Sequence, residues 1–167
     1  MSILRRFHST HSICFITCVT YQRRPILAEH VDLLWTAVHN VRKQTHFEVN
    51  AYAILPDHFH LVLDPLQGDF TKIMQRAKMS FGMLFRKKMG LSSGRVWQHR
   101  YWDHMIRDQE DMNNHIDYIH YNAVKHGLVD SPSEWEHSSF GKFQDIGVYS
   151  QDWGVLKRPC FDGEFGE

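Results

Sequence analysis

The feature that most constrains this chain is the order in which two-residue and 3.6-residue hydrophobic periods follow one another along it. Residues 12–20 (SICFITCVT) are apolar and β-branched and read as a strand. A turn begins at Pro25. Over 29–45, Leu33, Leu34, Ala37, Val38 and Val41 recur at helical spacing. Residues 47–55 alternate, with Val49, Ala51 and Ala53 expected on one side. Pro56-Asp57 is a turn signal and 58–64 (HFHLVLD) a further strand, so 47–64 reads as a hairpin. Phe70, Ile73, Met74, Ala77, Phe81, Leu84 and Phe85 form an apolar stripe over 70–89, closed by Gly90. An aromatic-rich strand is expected over 96–107. Asp108 then N-caps a helix from 109 to about 126, closed by Gly127.

Strand, helix, strand, strand, helix, strand is the βαββαβ order of the ferredoxin-like architecture. The expected class is therefore α+β: an antiparallel sheet with both crossover helices on one face, plus an additional C-terminal helix. Residues 1–130 make the body. Residues 131–167 are expected to be an irregular acidic tail with one short element, packed on the same domain. The architecture serves many functions and decides none.

Formal charges cancel over the 167 residues, which argues against a protein that coats duplex DNA by charge alone. The cancellation is uneven. Residues 1–129 carry 16 Lys+Arg against 11 Asp+Glu, and residues 130–167 carry 3 against 8. A basic binding surface with an acidic segment able to lie over it fits that split. Cys14, Cys18 and Cys160 form no disulfide framework. Cys14 and Cys18 have zinc-like spacing without a second pair, and read as strand core residues. No apolar run spans a membrane and the N-terminus lacks a signal-peptide core, so a cytoplasmic location is expected.

Two groups of residues carry chemistry. In a strand, His58 and His60 project to the same face while Phe59 points to the other, and two imidazoles so placed can share a metal ion. On the last helix, Met112, Ile116, Ile119 and Ala123 form the core stripe. Tyr118 and Asn122 are i,i+4 neighbours on a second stripe with His115 and His126, about a quarter turn away. Tyr121 points nearly opposite the core stripe, so geometry prefers Tyr118 as a nucleophile. A phenol is a weak nucleophile at neutral pH. A metal on the scissile phosphate offsets transition-state charge, and a phosphotyrosine ester would conserve the bond for rejoining. Asn122 is positioned to offer an amide oxygen as a third ligand.

Taken together these residues resemble a family. His58-Phe59-His60 matches the HUH motif and Tyr118 with Asn122 the single-tyrosine motif of the HUH single-strand DNA transposases. The segments FITCVTYQRRPIL (15–27), AILPDHFHLVL (53–63), WQHRYWDHMIRD (97–108) and YIHYNAVKHGLV (118–129) look like the REP-associated tyrosine transposases, over about residues 12–130. The resemblance implies His58, His60 and Asn122 as ligands of Mg²⁺ or Mn²⁺, and Tyr118 as the nucleophile that becomes a 5′-phosphotyrosine. It implies single-stranded or hairpin DNA as substrate, and a monomer where mobile-element relatives are dimers. Ala123 departs from the family's frequent Pro after the Asn, and alanine predicts an unbroken helix there. DNA is expected to meet Arg5, Arg6, Arg23, Arg24, Lys72, Arg76 and Lys87 through phosphates, and Trp97, Tyr101 and Trp102 through stacking.

Two other classes stay open on the residues alone. One is a metal hydrolase using His58, His60 and Asp57 or Asp64, with no role for Tyr118. The other is a nucleic-acid binding module on the sheet, active in neither cleavage nor metal binding.

Overall fold

In a computed structural model, residues 13–167 are described. Arg5 and Arg6 lie outside them. Four strands form one antiparallel sheet: β1 (Cys14–Val19), β2 (Glu48–Ile54), β3 (His58–Asp64) and β4 (Trp102–Met105), in the order β2-β3-β1-β4. The helices are α1 (Val31–Arg42), α2 (Phe70–Lys88), α3 (Gln109–Lys125) and the short α4 (Phe140–Asp145). No helix among these residues is long and apolar enough to cross a membrane.

The two faces of the sheet carry different layers. Cys14, Ile16 and Cys18 of β1, with Phe59, Leu61 and Leu63 of β3, pack on Leu34, Ala37 and Val38 of α1 and on Ile73, Met74 and Phe81 of α2. Phe15, Ala51, Ala53 and Val62 face the other way, onto Met112, Ile116 and Ile119 of α3. α1 and α2 thus share one face, and α3 takes the other. The buried thiols of Cys14 and Cys18 are both pushed up to about 12, chiefly by burial, as inert core groups are.

Each helix boundary has a local cause. Asp69 accepts from the amides of Thr71 and Lys72 and starts α2. Asp108 does the same for Asp111 at the start of α3. Past the helix ends, Gly90 and Gly127 take φ of +66° and +68°, a conformation glycine reaches without a Cβ penalty. α3 continues through Ala123 to Lys125, as alanine there predicts.

The structure departs from the sequence pattern in three places. The alternation of β2 is broken between Val49 and Ala51, where the partner changes from Leu63 to Val62 with one residue too many. Val49 therefore packs with the α1/α2 layer, and only Ala51 and Ala53 face α3. The strand expected over 96–107 is regular only at Trp102–Met105, with a single earlier bridge from Trp97 to Thr20. Residues 131–167 contain two short elements rather than one, a 3-10 turn at Pro132–Glu134 and α4. Phe140, Phe143 and Tyr149 from this segment are fully part of the core beneath α3. Tyr121, on the outer side of α3, is covered by Trp153 and Phe161.

Candidate metal and nucleophile site

β3 pairs with β1 so that Thr17 stands directly opposite His60. α3 crosses this face and brings Tyr118 and Asn122 over the two histidines. The His58 and His60 rings are 5.0 Å apart, and the Tyr118 ring is 5.4 Å from His60. His58 Nε2 lies 3.3 Å from Asn122 Oδ1. All four side chains are essentially inaccessible.

The protons on the two imidazoles are fixed by their second nitrogens. Thr17 Oγ1 donates its one proton to the Phe165 carbonyl at 2.5 Å and lies 2.7 Å from His60 Nδ1. It is therefore an acceptor toward His60, which keeps its proton on Nδ1 and presents the Nε2 lone pair. His58 Nδ1 donates to Asp57 Oδ1 at 2.7 Å. Asp57 is held in turn by Arg23 at 3.0 Å. Burial alone would raise the Asp57 carboxyl, but the His58 hydrogen bond and Arg23 hold it below the usual range.

Glu167 enters the centre of this arrangement. Its Oε1 is 2.8 Å from His60 Nε2, 3.5 Å from His58 Nε2 and 2.5 Å from Asn122 Nδ2, which donates to it. Its Oε2 is bound by Lys125 and lies 3.2 Å from His126 Nε2. Burial would raise this carboxyl, yet the hydrogen bonds from His126 and His58 hold it far below its ordinary value. Burial lowers His60 to about 4. Burial also acts to lower His58, but the hydrogen bonds to Glu167 and Asp57 outweigh it and leave this imidazole raised.

This donor set fits a cation. With both imidazoles neutral, His58 Nε2, His60 Nε2, Asn122 Oδ1 and Glu167 Oε1 turn lone pairs toward one another, and the one proton among them is the Asn122 amide's, donated to Glu167. Positive charge at the centre offsets the remaining lone-pair repulsion: a proton on His58, or a metal ion. His58, His60 and Glu167 offer ligand atoms within 4.8 Å of one another. A second such trio, His104, Asp111 and His115, has an internal explanation. Asp111 Oδ2 accepts from the Arg107 amide, the Arg107 guanidinium and His104.

Tyr118 is 2% exposed. Lys125 Nζ donates to its hydroxyl at 2.8 Å, and its ring stacks on Phe165. Burial and the negative Glu167 push the phenol well up, so in this conformation Tyr118 is a poor nucleophile.

The other expected site residues scatter. Arg23 reaches the site through Asp57. Arg24 donates to the Arg95 carbonyl. Lys72 and Arg76 sit on α2, on the opposite side of the sheet, beside Asp69 and Thr45. Trp97 is 7% exposed, with its indole N–H donated to the Lys78 carbonyl, so it offers no face to a base. The Tyr101 ring lies under Lys78 Nζ at 5.5 Å. Trp102 packs edge-on against Phe15. Thr17, Lys125 and Glu167 went unread. The cross-strand pairing of 17 with 60 and the i,i+3 step from Asn122 to Lys125 were signals for the first two.

A four-stranded antiparallel sheet with an HxH strand beneath a tyrosine-bearing helix is the arrangement of a single-tyrosine transposase. Residues 8–122 match the family described as transposase IS200 like. The chain belongs to that family, and within it to the REP-associated tyrosine transposases. An Escherichia coli REP-associated tyrosine transposase is 34% identical over 92% of this chain and 91% of its own. A Haemophilus influenzae relative assigned to the same group is 32% identical over 92% and 94%. The solved structure of a REP-associated tyrosine transposase bound to a REP hairpin matches 100% of this chain and 98% of that one, with a TM-score of 0.80 and 32% identity.

Proposed function

We propose that this protein is a metal-dependent single-strand DNA endonuclease and strand transferase that acts on hairpin DNA through Tyr118. The observation that carries the reading is the convergence of two imidazole nitrogens and the Asn122 amide oxygen beside a buried tyrosine hydroxyl. The relative solved with a REP hairpin supports hairpin DNA as the substrate.

His58, His60 and Asn122 would hold the ion, with Asp57 and Thr17 fixing the two rings. The imidazole pair favours Mn²⁺ over Mg²⁺, which prefers an all-oxygen octahedron. When bound, the metal polarises the scissile phosphate and offsets its developing charge. Tyr118 Oη forms the new bond to phosphorus as the bond to the 3′ oxygen breaks. The phenolic proton passes to water, the departing 3′ oxygen takes a proton from water and leaves as a hydroxyl, and the 5′ phosphate remains on the tyrosine. Lys125 steadies the phenol oxygen as it loses its proton. Rejoining reverses the step, with a 3′-hydroxyl attacking the phosphotyrosine.

Labelled hairpin DNA with an unpaired 5′ extension, incubated with Mn²⁺ and resolved on a denaturing protein gel, tests this. A metal-dependent slow-migrating band is expected for the wild type and not for Tyr118→Phe. Cleavage that persists in Tyr118→Phe would overturn the tyrosine mechanism and leave a hydrolase.

A further inference from the structure

We infer that a buried relay of hydrogen bonds, from the Tyr52 amide through Ser139, His120 and Tyr149 to Asp117, fixes the rotation and register of α3 over the sheet, so that His120 and Tyr149 are positioning residues for Tyr118 and Asn122. The inference rests on the tyrosine reading above and adds what keeps the nucleophile aligned.

His120 lies on α3 midway between Tyr118 and Asn122 and is 2% exposed. Its ring packs on Phe140 and Phe143 of α4. Both ring nitrogens have partners: Nε2 is 2.7 Å from Ser139 Oγ, and Nδ1 is 2.9 Å from Tyr149 Oη. Each end is tied further. Ser139 Oγ accepts from the Tyr52 amide at 2.9 Å, and Tyr149 Oη donates to Asp117 Oδ1 at 2.7 Å.

The protons run in one direction. Tyr149 gives its single proton to Asp117, so it accepts from His120, which carries a proton on Nδ1. With the ring neutral, Nε2 presents a lone pair and takes the Ser139 hydroxyl proton. The Tyr52 carbonyl is the poorer acceptor for that proton, since it is 3.3 Å away and already holds the Ser139 amide. Ser139 Oγ in turn accepts the Tyr52 amide proton.

Packing alone does not fix α3 this closely. The helix rests through Met112, Ile116 and Ile119 on a floor that includes Ala51 and Ala53. Apolar contact is non-directional, whereas hydrogen bonds weaken steeply with misalignment. Nor does stability require the relay, because apolar partners of the same shape can be nearly neutral replacements for a buried hydrogen-bonded pair. A fully satisfied network specifies one arrangement. The rung it selects is apt: Tyr52 adjoins Ala53, the cross-strand partner of His60. The tyrosine helix and the histidine pair are thereby referenced to the same part of the sheet. A shift of about 1 Å at reacting atoms can cost about a hundredfold in rate.

Time courses of adduct formation on the labelled hairpin with Mn²⁺ test this, alongside calorimetric titration with Mn²⁺ alone. Tyr149→Phe keeps the ring packed on Phe140 and Trp153 and removes the hydroxyl. Ser139→Ala breaks the relay at its other end. Each is expected to slow adduct formation at saturating hairpin at least fivefold, with the half-saturating hairpin concentration within twofold of wild type and the final extent unchanged. Each should also weaken Mn²⁺ binding at least threefold, through Asn122. Phe85→Leu, in the opposite layer of the core, lowers stability without touching the relay and should leave the rate within twofold. A slowing below fivefold in both relay variants, a loss of extent alone, or an equal slowing in Phe85→Leu would overturn the inference. If wild type forms no adduct, the tyrosine reading falls and the titration decides the relay. Mn²⁺ affinity unchanged in both relay variants then overturns it, and weakened affinity sustains it.

Discussion

The Tyr118 ring lies flat against the Phe165 ring, centroids 3.7 Å apart and planes within 8°. The proposed nucleophile and the segment that closes over it are thus in direct contact. Phe165 also supplies the carbonyl that orients Thr17, and Glu167 takes the centre of the histidine pair. A phosphate approaching Tyr118 must displace both.

Weakening this closure should therefore speed the reaction. A stacked aromatic pair contributes about 0.5–1.5 kcal/mol beyond its buried area. Phe165→Ala is expected to raise the rate of adduct formation about threefold to tenfold, and Glu167→Gln to raise it in the same direction, measured as band intensity against time. Rates equal to wild type in both variants would show that the segment does not restrain the tyrosine.

The hydrogen bonds behind the two histidines give a second expectation. Groups that orient metal-ligating imidazoles typically matter 10–100-fold in metal affinity. Thr17→Val and Asp57→Asn should each weaken Mn²⁺ binding by about that range in titration calorimetry, while the fold survives by circular dichroism. Undiminished affinity would mean that the ring orientations are set by packing alone.

A third prediction concerns stability. Burial would raise the Asp111 carboxyl, but hydrogen bonds from Arg107 and His104 bring it down to about 2 from its ordinary 3.8. A depressed carboxyl stabilises the folded state at pH above its ordinary value, and that contribution is lost as pH falls through the folded one. Asp111→Asn should cost about 1–3 kcal/mol at neutral pH. The gap between variant and wild type in denaturant melts should shrink from pH 4 toward pH 2. A gap that stays constant with pH would show that charge is not the cause.

Much of the site could be read from the sequence because its determinants are local. The period-two spacing of His58 and His60 and the one-turn step from Tyr118 to Asn122 each fix a face without any knowledge of the rest. The caps Asp108 and Gly127 were readable for the same reason. Glu167 was not, since its partners His58 and His60 lie more than a hundred residues away and no spacing encodes that contact. The aromatic run over 96–107 suggested one long strand. Trp97 instead turns into the α1/α2 core, and pairing resumes only at Trp102.

The extra residue in β2 sets a phase boundary within a single strand. Up to Val49 the odd positions report to one layer, and from Ala51 they report to the other. Deleting Asn50 would remove the bulge and leave every side chain on its present face, because Val49 and Ala51 already point to opposite layers as adjacent strand residues do. A single insertion between Ala51 and Tyr52 would instead exchange inside for outside along one end of the strand. Either Tyr52 and Ile54 would be thrust beneath α3, where two alanines now let the helix approach closely, or Ala51 would be turned away from it. Length in this strand is thus a coded quantity everywhere but at the bulge.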